Sequence, residues 1–411
     1  MTVAVIGAGA AGSMAAIFAA RTGRETLLLE GTRDGGRKIL ISGGGRCNVL
    51  PARVDESRFV TASSSATMRN MLRSWPLSEQ IGFFEGELGI PLAEETESAK
   101  LFPRSNRARD VRDGLLREAE RSGARFLPHC RVTGLLPEGG RWRIEREGAP
   151  PLLVDQAILA TGGRSVPNTG SDGAGLAMLE RLGHTIHPTY AALTPLTAQP
   201  APFGVLAGVS LRVGITARSA EETARAEGGF LFTHHGYSGP AVLDVSHVAV
   251  RSRAARVTVR WGGLGREDWE QALRPEGART VGAVVRAGLP DRLAGMLMEA
   301  AGVSPATPLA QLRREDRRRL IDMLAEGELP WTGDEGYRKA EVTGGGLALS
   351  EVDPRRMESR RHPGLFVCGE ALDAFGPIGG YNFLWAWATG RAAGAGSGEP
   401  MAGSGSRGAG C

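Results

Sequence analysis

The chain opens with a short, unbroken apolar run that leads directly into a glycine-rich turn. Residues 3–6 read Val-Ala-Val-Ile, and glycines at the spacing GxGxxG follow before a stretch of small residues with helical character. A short, fully apolar run is typical of a parallel strand that is buried on both faces. A second apolar run, residues 26–29, ends at the acidic residue Glu30. The pattern predicts a strand, a helix and a second strand at the N-terminus.

Apolar periodicity predicts further elements in the first half of the chain. Segment 31–51 contains many glycines among polar residues, which is typical of a loop and not of a helix or strand interior. The helical patterns are 67–75, 78–88 and 108–122, and the strand patterns are 125–132, 141–144 and 154–161.

The pattern changes near residue 190, where prolines separate short strand patterns. Strands at 208–217, 229–233 and 256–261 are followed by helical patterns at 291–301 and 314–324. Glycine-rich segments return near residue 339, and another buried strand ends at Gly369. We therefore expect a discontinuous domain formed by 1–189 and 336–394, with 190–335 as an inserted β-barrel-like and helical domain that serves as a substrate or cap domain. Segment 395–411 is mostly Gly, Ala and Ser, so it is expected to be disordered.

Composition places the chain among globular proteins. Of its 411 residues, 42% are hydrophobic and 23% charged, which is enough to bury a core. The net charge of +4 is thinly spread, and its densest cluster, 313–319, is interrupted by acids, so a solvated helix face is expected and no nucleic-acid partner. The four cysteines show neither disulfide nor metal spacing, and no metal is expected. Without a leader pattern or a membrane-spanning run, the sequence predicts a cytoplasmic protein.

The glycine turn has the chemistry of a dinucleotide site. Gly7 allows a tight turn, Gly9 lets the backbone approach a pyrophosphate, and Gly12 lets the helix pack closely on its strand. The N–H groups at the helix N-terminus favour phosphate. Glu30 is placed to accept a ribose hydroxyl. The predicted contacts at this end of the cofactor are Gly7, Gly9, Ala10, Ala11, Gly12 and Glu30.

A second motif, in segment 36–48, narrows the class of protein that the sequence indicates. Segment 36–48 reads Gly-Arg-Lys-Ile-Leu-Ile-Ser-Gly-Gly-Gly-Arg-Cys-Asn and resembles the signature loop of the HI0933-like, or BaiN-type, bacterial family of NAD(P)/FAD-dependent oxidoreductases. Five further segments resemble the same family in the same order, so the resemblance covers nearly the whole chain. They are 160–163, 231–240, 342–346, 368–373 and 379–382.

The resemblance implies an α/β fold: a glutathione-reductase-like, FAD-binding Rossmann domain with a parallel sheet, and an inserted domain rich in β-strands with added helices. It implies FAD in an extended pose. Further cofactor contacts are expected at Gly36, Arg37, Lys38, Ser42, Gly43, Gly44, Gly45, Asn48, Val132, Ala160, Thr161, Gly162, Gly163, Gly369, Asp373, Gly379, Gly380, Tyr381 and Asn382.

The residue types give several of these positions a physical role. Arg37 and Lys38 can donate to phosphate oxygens, and glycines let the backbone lie against a flat ring. Asn48 either bonds the flavin or anchors the loop, and segment 160–163 either contacts the cofactor or forms a plain turn. By resemblance, Val132 reads the adenine and Asp373 accepts a ribityl hydroxyl. The helix after Gly380 presents its N-terminus to the flavin.

These expectations favour a reductase that passes hydride through flavin N5 to an activated C=C bond or another small-molecule acceptor. Because a single GxGxxG motif occurs, NADH or NADPH is expected as a transient electron donor. The alternatives are a tRNA-modifying flavoenzyme and a non-enzymatic flavin-binding sensor or electron-transfer protein. Candidate proton donors are His234, His235 and Tyr237, and Cys47 is a candidate thiol.

Overall fold

The computed structural model of the chain describes residues 1–399. The chain divides into two compact units. Unit 1 consists of Met1–Thr189 and the chain from Val342 onward, and unit 2 consists of Tyr190–Glu341. Unit 2 thus ends later than residue 335, the boundary predicted from composition. The Glu341 N–H donates to the Leu193 carbonyl (3.2 Å), which keeps the end of this segment within unit 2.

The strands follow in chain order. Before unit 2 they are β1 (Thr2–Ile6), β2 (Glu25–Leu29), β3 (Leu50–Pro51), β4 (Leu92–Glu95), β5 (Lys100–Pro103), β6 (Ala124–Leu127), β7 (Val132–Glu138), β8 (Arg141–Arg146), β9 (Ala149–Val154), β10 (Gln156–Leu159) and β11 (Ile186–Ala192), which carries the chain into unit 2. Unit 2 contributes β12 (Leu196–Thr197), β13 (Ser210–Arg218), β14 (Thr223–Thr233), β15 (Gly236–Ser238), β16 (Arg256–Trp261), β17 (Gly327–Glu328) and β18 (Gly333–Asp334). Unit 1 resumes with β19 (Val342–Leu347) and β20 (Leu365–Val367).

The α-helices follow the same division. Unit 1 has α1 (Ala10–Ala20), α2 (Arg37–Ile41), α3 (Ser65–Arg73), α4 (Leu77–Gly82), α5 (Ala108–Arg121) and α6 (Ala174–Arg181). Unit 2 has α7 (Pro240–Arg251), α8 (Arg266–Ala272), α9 (Val281–Gly288), α10 (Asp291–Ala300) and α11 (Arg314–Glu326). Unit 1 ends with α12 (Tyr381–Gly396).

Unit 1 is built on a parallel sheet with the strand order β20-β10-β1-β2-β6. Strand β1 is central, so Val5 lies between Leu28 of β2 and Ile158 of β10. The residues of β1 from Val3 onward are buried, as expected for a parallel strand covered on both faces. The predicted fold class, a Rossmann-type parallel sheet with an inserted domain of strands and helices, is confirmed.

Helix α12 packs against α1 through small residues. A Cβ at Gly390 would collide with the Ala11 carbonyl, and one at Gly396 would lie 2.7 Å from the Arg356 carbonyl oxygen. The expectation of disorder from residue 395 is therefore wrong at its start, because these glycines bring α12 close to neighbouring backbone. The rest of that predicted tail, residues 400–411, lies outside the described residues.

Two local predictions differ from the structure. Segment 31–51, predicted as a loop, contains α2 and β3. The glycines of this segment lie at the two ends of α2 and do not interrupt it. Gly36 precedes the helix with φ +62°, and Gly43 follows it with φ +55°. The single strand predicted over 125–132 is divided into β6 and β7 by a turn at His129, where φ is +54°.

Unit 2 is built on an antiparallel sheet of order β17-β16-β13-β14-β15-β12-β18. Alternate residues of β13, namely Val213, Ile215 and Ala217, are buried, and α7 packs against this strand. The core also contains the indoles of Trp261 and Trp269. Among residues 1–399, no helix is both long and apolar enough to cross a membrane.

Candidate functional site

The turn between β1 and α1 contains glycines with different surroundings. A Cβ at Gly7 (φ +102°) would lie 2.7 Å from the Ala160 carbonyl oxygen, and one at Gly12 would collide with the Gly7 carbonyl. At Gly9, in contrast, no atom of the described residues other than its chain neighbours lies within 4 Å of a Cβ position. Packing of the strand and helix therefore requires Gly7 and Gly12, whereas Gly9 borders open space at the N-terminus of α1.

The N-terminus of α1 presents hydrogen-bond donors to this space. Gly9 is the N-cap and supplies no side-chain cap, and the Ser13 N–H makes the first helical bond, to the Gly9 carbonyl (2.9 Å). The N–H groups of Ala10, Ala11 and Gly12 consequently have no acceptor within the helix. Such a helix end favours anions, and phosphate above all.

Glu30 is held beside the turn by donors on both carboxylate oxygens. Its Oε2 accepts from the Ala8 N–H (2.9 Å), and its Oε1 accepts from the N–H (2.7 Å) and hydroxyl (2.6 Å) of Thr32. A carboxylate oxygen has a second lone pair for another donor. These bonds hold the Glu30 carboxylate in one orientation and leave it able to accept a further hydrogen bond. Val132 starts β7, where the ladder with β8 is irregular between Val132 and Gly134.

The glycines of segment 36–48 also divide into packed and open positions. A Cβ at Gly43 would lie 2.9 Å from the Phe102 ring, and one at Gly36 would collide with the side chain of Arg112. Apart from chain neighbours, no atom in the described part of the chain lies within 4 Å of a Cβ at Gly44 (φ +67°), and the nearest to a Cβ at Gly45 is 3.9 Å away. Gly44 and Gly45 therefore leave backbone exposed to open space. Ser42 closes the end of α2 by donating to the Ile39 carbonyl (2.8 Å).

Arg37 and Lys38, two of the three cations of segment 36–48, have different partners. Arg37 is half-exposed, and its Nε lies 3.4 Å from Asp34 Oδ1. The Lys38 ammonium donates to Ser165 Oγ (2.6 Å) and to Glu370 Oε2 (2.6 Å). An ammonium carries three donors, so one N–H of Lys38 is left for a further acceptor.

Glu370 is the centre of a polar network that sequence reasoning missed. Its Oε1 accepts from Ser165 Oγ (2.7 Å) and from the N–H (3.0 Å) and hydroxyl (2.8 Å) of Thr343. Burial opposes ionisation of Glu370, yet the Lys38 ammonium and these hydrogen bonds hold the pKa of its carboxyl below the ordinary value. The network joins segment 36–48 to the ends of β10 and β20 and to β19. Its only sequence signal is an acid directly after the glycine that ends a buried strand.

The segment that follows β10 has two closely packed glycines and a threonine hydroxyl without a hydrogen-bond partner among the described residues. A Cβ at Gly162 would lie 2.6 Å from Ser171 Oγ, and one at Gly163 would collide with Thr343 Oγ1. Ala160 is tied to β1 by its N–H bond to the Ile6 carbonyl (2.9 Å). Within residues 1–399, the buried Thr161 Oγ1 has no hydrogen-bond partner. Packing thus explains both glycines, and Thr161 retains a free polar atom.

Asp373 organises a loop that lies far from it in sequence. Its Oδ2 accepts from Thr61 Oγ1 (3.0 Å), from the Ala62 N–H (3.0 Å), and from the N–H (2.8 Å) and Oγ (2.8 Å) of Ser63. His187 Nε2 lies 3.3 Å from Ser63 Oγ and 3.7 Å from Asp373 Oδ2. Asp373 is 2% exposed, so its carboxylate is fixed before any ligand binds. No local pattern links these residues, and sequence reasoning missed both Ser63 and His187.

The start of α12 is locked to segment 36–48. Gly379 and Gly380 have φ values of +119° and +90°. With the Asn48 amide in the orientation that satisfies both neighbours, its oxygen accepts from the Gly380 N–H (2.9 Å) and its nitrogen donates to the Leu50 carbonyl (3.1 Å). Asn382 bonds both the N–H (2.9 Å) and the carbonyl (3.0 Å) of Gly376. These contacts are those of a loop anchor, one of the two alternatives for Asn48, and flavin contact by Asn48 stays a prediction.

The remaining residues at these strand ends support the backbone. The Tyr381 hydroxyl donates to the Arg53 carbonyl (3.2 Å), and the Gly369 N–H donates to Thr389 Oγ1 (3.0 Å). Trp385 is buried, with its indole N–H donating to the Gly369 carbonyl (3.1 Å). These contacts fix the path of the chain from β20 into α12.

The four catalytic candidates differ in accessibility. Cys47 is buried, and burial raises the pKa of its thiol to about 12, so the thiolate needed for nucleophilic attack is absent near neutral pH. Tyr237 is 1% exposed, burial raises the pKa of its phenol, and its hydroxyl has no partner within residues 1–399. The structure therefore argues against both as catalytic groups. His234 and His235 are exposed in the turn between β14 and β15.

The residues of unit 1 suit an extended dinucleotide that carries a flat ring system. The open space at Gly9 and the N–H groups of α1 suit a pyrophosphate, and Glu30 suits the adjoining ribose. The open backbone at Gly44 suits a planar ring. Within residues 1–399, no group of three or more His, Cys, Asp or Glu side chains could hold a metal ion. The fold and this site define an FAD-dependent flavoprotein oxidoreductase.

Comparison with known proteins identifies the family. The model of the HI0933-like protein Rossmann domain matches residues 1–396, and the chain belongs to this family. The resemblance carried by its motifs is thereby confirmed.

Two curated relatives match almost the full length. The chain is 32% identical over 394 residues to a ribosomal RNA dihydrouridine synthase of Escherichia coli K12, covering 94% of this chain and 95% of the relative. It is 31% identical over 409 residues to a 3-dehydro-bile acid delta(4,6)-reductase of Clostridium scindens, covering 97% and 99%. Among solved structures, it resembles 3-ketosteroid delta1-dehydrogenase from Sterolibacterium denitrificans with a TM-score of 0.51 and 13% identity, covering 97% and 99%. That likeness supports the fold alone.

Proposed function

We propose that this protein reduces a carbon–carbon double bond conjugated with a carbonyl group, with NADH or NADPH as electron donor. The names of the two curated relatives support this proposal. Dihydrouridine differs from uridine by two hydrogens across a double bond conjugated with a ring carbonyl. The two double bonds of a delta(4,6) steroid are likewise conjugated with its 3-keto group. Both relatives thus act on one kind of electron-poor C=C bond. When bound, FAD supplies the hydride chemistry.

In this proposal the residues of the chain bind FAD and orient its ring. The N–H groups at the start of α1 would bind the pyrophosphate, and Glu30 would hold the adjoining ribose. The N–H groups in the first turn of α12 have no acceptor within the helix, because the first helical bond runs from the Leu384 N–H to the Gly380 carbonyl (2.9 Å). Their partial positive charge would favour negative charge on the reduced ring. The exposed His234 and His235 remain the candidate proton donors.

One observation carries the cofactor assignment: the Cβ position of Gly44 is open, whereas a Cβ at its neighbour Gly43 would lie 2.9 Å from the Phe102 ring. A side chain at Gly44 would meet no atom of residues 1–399 within 4 Å beyond its chain neighbours, yet it would enter the space proposed for the ring. Gly263 provides a matched control, since it also has a positive φ (+74°) and no atom within 4 Å. Asn is among the residues that best tolerate such backbone angles.

We therefore compare Gly44→Asn with Gly263→Asn. FAD affinity is measured by flavin fluorescence, and the stability of each apoprotein by urea denaturation. We expect the two apoproteins to unfold alike, whereas Gly44→Asn alone weakens FAD binding by more than about tenfold, equivalent to roughly 1.4 kcal/mol. Equal FAD affinity in the two variants would contradict the placement of the ring.

The donor and the acceptor are tested on the FAD-loaded protein without oxygen. Bleaching of the flavin absorbance by NADH or NADPH would support the donor assignment. The reduced protein is then mixed with a steroid-type enone or with uridine-containing RNA, and the return of the absorbance is followed. Reoxidation by either acceptor supports the proposed reaction and selects its substrate class. Flavin that neither donor reduces, or that neither acceptor reoxidises, would count against a reductase and favour a sensor or electron-transfer protein.

A further inference from the structure

The sheet of unit 2 has a buried face and an exposed face. Along β13, Val213 and Ile215 are buried, while Arg212 and Arg218 are exposed. Since side chains alternate along a strand, the ladders with β14 and β16 bring the outward residues of three strands onto one surface. We call this surface the arginine face. It carries Arg212, Arg218, Arg225, Arg256 and Arg260.

The charge of this face is only partly compensated. Arg260 pairs with Glu227, and Arg256 Nη2 lies 3.3 Å from Glu328 Oε2. Within residues 1–399, the exposed Arg212, Arg218 and Arg225 have no carboxylate at ion-pair distance. The face therefore carries three uncompensated positive charges.

Like charges are placed close together on this surface. Arg218 lies directly opposite Arg256 in the ladder between β13 and β16. Arg225 is two residues from Thr223, the partner of Arg218 on β14, so Arg225 and Arg218 are diagonal neighbours. Like charges directly opposite one another destabilise a sheet. Folding alone therefore disfavours this arrangement, whereas a bound polyanion would neutralise it.

The composition of the face favours a phosphate chain over a protein partner. Besides arginine and the paired Glu227, its outward positions on β13 and β14 are mostly Gly, Ser and Thr, with Leu231 (36% exposed) as an apolar side chain at one end. Protein interfaces need a core of apolar or aromatic anchors. Guanidinium groups match phosphate geometry by paired hydrogen bonds.

We propose that the arginine face docks the phosphate backbone of RNA. This inference goes beyond the proposed reaction, because it rests on unit 2 alone and does not depend on which double bond is reduced. It also revises the expectation of no nucleic-acid partner. That expectation followed charge density along the chain, whereas the arginines of this face are dispersed over residues 212–260 and meet only through strand pairing.

The test removes the three uncompensated charges by Arg212→Gln, Arg218→Gln and Arg225→Gln together. The control removes three other exposed arginines that lack ion pairs within residues 1–399, by Arg313→Gln, Arg314→Gln and Arg318→Gln on or beside α11. Both triple variants change the net charge equally. Binding of the full-length, FAD-loaded protein to a labelled RNA strand and to an RNA hairpin is measured by fluorescence anisotropy between about 50 and about 200 mM salt.

We expect the wild type and the α11 control to bind RNA alike, with affinity that falls steeply with salt. The sheet variant should bind more than about tenfold more weakly, and its salt slope should be smaller by about 2, because each lost phosphate contact lowers the slope by roughly 0.7 to 0.9. FAD content and reduction by NADH or NADPH are measured on the same samples. These readouts distinguish failure of the docking proposal from failure of the proposed function.

Three results would overturn the proposal. The wild type could fail to bind RNA at low salt, the sheet variant could bind as well as the wild type, or the α11 control could lose affinity equally. A polyglutamate competitor supplies a further criterion. If it displaces labelled RNA as effectively as unlabelled RNA of equal charge, the face recognises acidic chains in general and not the RNA backbone.

Discussion

The substitution Gly9→Asp should separate cofactor binding from apoprotein stability, and the structure gives the sign of both effects. Gly9 is the N-cap of α1 with φ −77° and ψ −167°, a conformation open to any residue. Beyond its chain neighbours, no atom among residues 1–399 lies within 4 Å of the Cβ position there. Asp is a favoured N-cap residue because its carboxylate accepts an N–H bond from the first turn. The apoprotein should therefore keep its free energy of unfolding or gain about 0.5 kcal/mol.

The same carboxylate would lie where we propose that the FAD pyrophosphate binds. Two like unit charges about 4 Å apart repel by roughly 4 kcal/mol at an effective dielectric constant of about 20. Since about 1.4 kcal/mol changes Kd tenfold, this repulsion corresponds to a loss of roughly a thousandfold. Screening by salt reduces it, so we expect FAD to bind about 100-fold to 1,000-fold more weakly.

The assay measures Kd for FAD by fluorescence and the unfolding free energy of each apoprotein in urea. Gly9→Ser is the matched control, because serine is also a favoured N-cap residue but carries no charge. We expect Gly9→Ser to lose clearly less affinity than Gly9→Asp. If Gly9→Asp binds FAD with the affinity of the wild type, the N-terminus of α1 does not face the pyrophosphate and the reasoning fails.

Three further predictions concern the half-buried Glu370 and the buried Glu351 and Cys47 of unit 1. Glu370→Gln should lower the free energy of unfolding by roughly 2–3 kcal/mol, because it leaves the Lys38 ammonium without its counter-charge. The pKa of Glu351 is held at about 2, chiefly by the hydrogen bond from Arg361, against an ordinary value of 4.5. Its stabilising effect is therefore complete above pH 4.5 and is lost as the pH falls toward 2, so Glu351→Gln should flatten the urea-measured stability curve in this window. Cys47→Ala should keep FAD binding and turnover, because burial raises the pKa of the Cys47 thiol to about 12 and keeps it protonated.

Each of these predictions has a control. Adding Lys38→Met to Glu370→Gln should restore part of the lost stability, and strictly additive losses would show that the pair is not coupled. The control for Glu351→Gln is Glu147→Gln, which removes an exposed carboxyl and should leave the dependence of the unfolding free energy on pH unchanged. A wild-type curve that stays flat between pH 4.5 and 2 would contradict the role given to Glu351. Turnover lost in Cys47→Ala and restored by Cys47→Ser would point to a polar role for this side chain.

Short segments with strong local requirements could be predicted from the sequence. The run from Val3 to Gly12 specifies a buried strand, a turn with positive φ at Gly7 and a helix, since each feature depends on residues within one turn of one another. Glu30 follows from the end of the next apolar run. The motifs that identify the family are equally local, which is why fold class and cofactor class could be inferred before the structure.

Contacts between distant segments could not be predicted in this way. Lys38 has the same sequence context whether it meets a phosphate or Glu370, and Asp373 gives no sign that it binds the loop at Ser63. Likewise, the sequence does not separate the open Gly44 from the packed Gly43. The space around a residue, its burial and its hydrogen-bond partners depend on which segment of the chain packs against it, and that depends on the whole fold.

The parallel Rossmann sheet, the inserted domain and the family could be predicted from local periodicity and contiguous motifs. Only the folded chain shows that Asn48 lies within hydrogen-bond distance of Gly380 and Leu50, that Cys47 and Tyr237 are buried, and that residue 395 continues a packed helix. Folding also assembled the arginine face from three strands. The physical reason is the same in each case. The charge, space and solvent around a side chain depend on residues that are distant in sequence and come together only when the chain folds.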